Sequence, residues 1–169
     1  MFNKKGLSLL EFLIVIAIII LLVVIVVPNL NTSRQKLALD RSATKLAQDI
    51  RWAQQMTMSS KPSEKSGCEK SYSYGVSFSQ SDPDKYIVYI DCGETQGYES
   101  PGDDKLAEVE LESGITFEIT ESKIDMLFIP PKPEIIFIPD VATVSIILKN
   151  RNDESKTIIV NKAGLVEIQ

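Results

Sequence analysis

Glu11 is the side chain of greatest chemical consequence, because it is the sole charge between Leu7 and Val27, a run otherwise apolar except for Ser8. A carboxylate at the edge of an apolar medium costs about 2–3 kcal/mol, so it marks a function or a partner unless it sits at a polar boundary or is protonated. The second candidate is the pair Cys68 and Cys92, with 23 residues between them. In an oxidising compartment a bridge closing that loop contributes about 3 kcal/mol, the alternative being two free thiols. Two cysteines in a chain without histidine make an incomplete zinc set, so no metal is expected.

The absence of histidine also removes Ser-His-Asp and Cys-His catalysis. No nucleophile-base spacing, phosphate-binding glycine loop or metal cluster stands out, so no catalytic residue and no cofactor are expected, and the chain reads as a non-enzyme. Glu94, Glu99, Asp103 and Asp104 crowd one polar loop but lack the alternating acids and the glycine of a calcium loop.

The elements that carry these residues differ sharply along the chain. Residues 1–61 hold eight basic and three acidic side chains, whereas residues 62–169 hold ten basic and twenty acidic ones. A basic stalk and an acidic head are implied, with a boundary near Lys61 and Pro62 where prolines and glycines begin to accumulate. The run from Leu7 to Val27 reaches roughly 31 Å as a helix, which predicts a membrane span. Lys4 and Lys5 before it predict a cytoplasmic amino terminus and an extracytoplasmic head. Past Pro28, Leu39, Ala43, Leu46, Ala47, Ile50, Ala53 and Thr57 recur every three or four residues and predict an amphipathic helix with one buried stripe. Lys36 with Asp40, and Lys45 with Asp49, are spaced to pair along it. Trp52 is expected where that helix meets the head.

The head reads as nine strand segments: 73–78, 86–91, 106–111, 115–120, 123–129, 134–138, 143–149, 155–160 and 165–168, with turn residues such as Ser81-Asp82-Pro83-Asp84 between most of them. The expected architecture is α+β: a long amino-terminal transmembrane-plus-amphipathic helix packed on an antiparallel head of one sheet or two small ones.

The string Lys4-Lys5-Gly6-Leu7-Ser8-Leu9-Leu10-Glu11-Phe12 resembles the class III signal of type IV pilins and type II secretion pseudopilins. That resemblance implies a pilin-like fold, cleavage by a prepilin peptidase between Gly6 and Leu7, and N-methylation of Leu7, although Leu7 departs from the family's usual phenylalanine. It further implies an assembly salt bridge from Glu11 to the new amino terminus of a neighbouring subunit, and a helix kink at Pro28. The domains expected are a cleaved leader 1–6, a transmembrane and filament-core helix 7–27, a stalk 28–61 and a β-rich head 62–169. The segment 46–54 and the closing hairpin resemble the minor pseudopilin H and FimT-like branch.

The function implied is a structural subunit, minor rather than major, of a type IV pilus or type II secretion pseudopilus. It would be a single-pass protein of the cytoplasmic (inner) membrane that later enters an extracellular or periplasmic filament. Its implied partners are other pilin or pseudopilin subunits, the prepilin peptidase, the assembly platform protein, and the membrane before assembly. The alternatives are a major pilin or a filament-tip module for adhesion or DNA uptake. DNA is disfavoured, because the closing segment 164–169 has no cation and the head is strongly acidic.

Overall fold

The structure, a computed structural model, describes residues 9–59, 68, 73–92, 96–130 and 134–169, with the side chains of 26–30 outside the description. One helix, α1 (Leu9–Met58), precedes nine strands. These are β1 (Tyr74–Ser79), β2 (Lys85–Ile90), β3 (Asp104–Glu110), β4 (Thr116–Glu118), β5 (Lys123–Phe128), β6 (Ile135–Ile138), β7 (Thr143–Lys149), β8 (Ser155–Asn161) and β9 (Val166–Ile168).

The strands form two antiparallel sheets. The first has the order β3-β2-β1-β5-β6 and the second β4-β7-β8-β9. In β7 the alternation of buried Val144, Ile146 and Leu148 with more open neighbours gives one face to the core, the period of two that a half-buried strand requires. Register then aligns Ile146 with Ile158 on β8 and Leu148 with Lys156.

The carboxyl-terminal half of α1 closes the core. Leu39, Ala43, Leu46, Ala47, Ile50 and Ala53 are all at most 3% exposed. They lie at spacings that keep one stripe toward the sheets, with alanines allowing the helix close to the strands. Val76, Phe78, Tyr86, Met126 and Phe128 meet that stripe from the first sheet, and Ile146, Leu148, Ile158 and Val160 from the second. Phe78 binds this centre together, stacking on Tyr86 at 5.6 Å and meeting Phe117 edge-on at 5.5 Å.

Three expectations are corrected here. Among the described residues no helix is long and apolar enough to cross a membrane. The single-pass, inner-membrane topology falls with that span. The transmembrane-plus-amphipathic helix on a pilin-like head is also replaced: no membrane-spanning helix is present among the described residues, and α1 docks its second half on two separate antiparallel sheets, β4 pairing with β7 instead of extending the first sheet. The pairs expected along the helix give way to pairs with the head. Lys36 meets Glu154 at 2.8 Å and Asp40 meets Lys156 at 2.6 Å.

Candidate functional site

The carboxyl-terminal half of α1 is fastened by polar contacts as well as by its apolar stripe. Arg41 pairs with Glu112 at 3.0 Å, and the Glu112 amide donates to Ser42 Oγ at 3.3 Å. Arg51 Nη2 donates to the Val166 carbonyl at 2.9 Å, tying the helix to β9. Tyr86 Oη donates to Asp49 Oδ2 at 2.5 Å, and burial followed by this carboxylate pushes the phenol's pKa well above its ordinary value. Near the end of the helix, Thr57 Oγ1 accepts from the Tyr74 amide at 3.2 Å. Trp52 stands partly open beside it, edge-on to Tyr74 at 6.0 Å.

The amino-terminal half is different in kind. From Leu9 to Ile25 every described residue is exposed, from 82% at Leu9 to 40% at Ile16. Leucines, isoleucines and valines occupy all faces of this arm, so no polar side turns to water. An apolar surface of this extent is the mark of an interaction site, and a helix apolar all round belongs inside other matter.

A second feature lies on the face of the first sheet turned away from α1. Gly75 and Tyr89 face each other in register, and a Cβ at Gly75 would stand 2.5 Å from the Tyr89 ring. Only glycine leaves room for that ring to lie flat across β1. Tyr98, arriving from the loop before β3, packs on Tyr89 at 5.2 Å between centroids. Its amide donates to Asp125 Oδ2 at 3.3 Å and its carbonyl accepts from Lys123 Nζ at 2.7 Å. Asp103 holds the loop from below, Oδ1 accepting from the Cys92 amide and Oδ2 from the Glu99 amide. Under this cover Tyr89 Oη and Asp125 Oδ1 are buried with no hydrogen-bond partner among the described residues.

The residues singled out in the sequence scatter across these regions. Glu11 lies in the first turn of α1, exposed at the tip of the arm. Gly6 and Leu7, the expected cleavage and methylation positions, lie outside the described residues, as does the side chain of Pro28, whose backbone falls within α1. Cys68 and Cys92 are joined by a disulfide with their Cα atoms 5.0 Å apart. It fastens the segment after α1 to the end of β2. Among the described residues no group of three or more acidic or cysteine side chains is arranged to hold a metal. Sequence reasoning missed the Tyr89–Tyr98–Asp125 cluster. Its one local signal was Gly75 inside an otherwise bulky strand, which marks the close approach of another group.

No family model, no curated protein and no solved structure matches this chain. The likeness to type IV pilins and pseudopilins is therefore corrected: the nine residues Lys4 to Phe12 carried its signal, Lys4 to Ser8 among them lie outside the described residues, and no match extends it over the fold. With the membrane span gone as well, the filament-subunit reading has no support, and neither have the secretion and pilus-assembly roles that followed from it.

Proposed function

We propose that this chain is a non-catalytic binding protein that engages another protein through the apolar arm of α1. One observation carries the reading: Leu9 to Ile25 is helical, apolar on every face and exposed along its length. Such a helix lies within protein or within lipid. Among the described residues no helix is long and apolar enough to cross a membrane, so the reading takes a protein groove or bundle as the arm's surroundings. Burying a leucine or isoleucine stabilises by about 1.5–3 kcal/mol, so even four or five arm residues would supply the affinity of a lasting complex.

The rest of the chain supports a binding role. Asp49, Arg41 and Arg51, polar groups that a catalytic site would need free, are spent on holding α1 to the head. The acidic head disfavours nucleic acid, since phosphate neutralisation needs clustered cations. The test is a photo-crosslinking residue placed at Ile18 in the producing cell, with Leu106 on the head as the control position. Discrete protein adducts at Ile18 and none at Leu106 are expected. Lipid adducts alone, or no adducts at Ile18, would overturn the reading.

A further inference from the structure

On the outer face of the first sheet, beside Tyr98, lies a recess of about 220 Å³. Ser77, Ile87, Lys85, Lys123 and Asp82 are among the residues that line it, and Tyr98 forms one wall. Three features define what it can hold. Its wall is set in place before any ligand arrives, because the Tyr98 backbone is bonded to Asp125 and Lys123 and its ring rests on Tyr89. Such preorganisation spares a ligand the cost of ordering its site. Its cations are already neutralised: Lys85 meets Glu108 at 2.9 Å and Asp82 at 3.4 Å, and Lys123 meets Asp125 at 3.0 Å. With Lys105 also on Glu108 at 2.9 Å, three carboxylates balance three ammoniums and leave no net positive field, so a phosphate or carboxylate finds no net attraction. Its polar lining mixes donors and acceptors, the Ser77 hydroxyl offering both, the Ser79 hydroxyl what its 2.8 Å bond to Ser81 leaves, and the lysines their remaining N–H groups, around the apolar surface of Ile87 and Tyr98.

A compound that matches this has several hydroxyls, no charge and a carbon face to lay against an aromatic or aliphatic wall. The volume is below that of pockets for drug-sized ligands, which limits the occupant to a single ring. We propose that the recess binds a neutral, hydroxylated ring compound of monosaccharide size. This site is on the head and stands independently of the arm's role.

The test is a titration of the ¹⁵N-labelled full chain, kept dispersed in a sugar-free zwitterionic detergent, with methyl glucoside, methyl galactoside and methyl mannoside in turn. Amide shifts confined to the neighbourhood of Ser77, Ile87 and Tyr98 are expected for at least one of the three, with a Kd of about 1–10 mM. Tyr98→Ala is expected to weaken binding about tenfold. Ser77→Ala, a smaller change, is expected to weaken it about fivefold through one lost hydrogen bond while resonances elsewhere stay in place. Should Tyr98→Ala perturb the fold, Ser77→Ala decides. Absence of localised shifts with all three sugars, or shifts at these amides with inorganic phosphate instead, would overturn the proposal, as would unchanged affinity in Ser77→Ala.

Discussion

Tyr86 brings its hydroxyl to Asp49 across the seam between β2 and α1, and its ring stacks on Phe78 in the core. The hydroxyl makes this a contact with direction, which fixes how far along the strand the helix sits. Tyr86→Phe keeps the ring and leaves Asp49 without its donor, so the chain is expected to lose about 1–3 kcal/mol, read from urea unfolding in mild detergent. Glu108 acts in the opposite setting. Exposed on β3, it is held by Lys105 and Lys85, and its carboxyl is lowered from 4.5 to about 2. A depressed carboxylate stabilises the fold fully above its unfolded pKa and loses that contribution as pH falls through its folded one. Between about pH 4.5 and 2, therefore, Glu108→Gln is expected to flatten the fall in melting temperature of the parent chain. At neutral pH water screens these exposed pairs and the variant should melt close to the parent. At this scale the sequence was a partial guide. It put lysines and acids four apart on the stalk, but Lys36 and Asp40 each reach a residue of β8 or the turn before it, more than a hundred positions away. Local spacing carries no information about that partner.

Among the elements, the strands were the most legible. The nine apolar or alternating segments fall on β1 to β9 because turn residues such as Asp82-Pro83 and Glu112-Ser113-Gly114 interrupt the periodicity between them. Gly114 has φ +86, a conformation that favours glycine, which makes that interruption obligatory. The stalk stripe was legible for the same reason, each of its apolar positions recurring every three or four residues. How the strands divide between two sheets was not legible. It depends on β1 pairing with β5 and β4 with β7, which are long-range choices made by the packing of Phe78 and Phe117 against the helix. The two halves of α1 should answer alike substitutions differently. Leu46→Ala opens a cavity among fully buried neighbours and is expected to cost about 2–5 kcal/mol. Leu13→Ala, in the exposed arm, is expected to stay within about 0.5 kcal/mol in the same urea measurement.

The whole molecule has two unlike ends: a β head closed by half of a helix, and the other half of that helix with its leucines and isoleucines outside any core. The apolar run explains why the sequence suggested a bilayer span. Composition reports that a segment avoids water, and leaves open whether lipid or protein takes its place. No helix among the described residues is long and apolar enough to cross a membrane, and the proposal puts protein in the place of lipid. The disulfide, the ion pairs across the stalk and the Tyr86–Asp49 bond all stiffen the head side, so the arm is presented from a rigid base. The most direct measurement is the identity of what lies against the arm, read by mass spectrometry of the adduct formed from a photoreactive residue at Ile18. A discrete polypeptide attached at Ile18, and absent when the probe is moved to Leu106, is the expected result. Adducts made only of lipid, or an Ile18 probe quenched by water with nothing attached, would contradict the account.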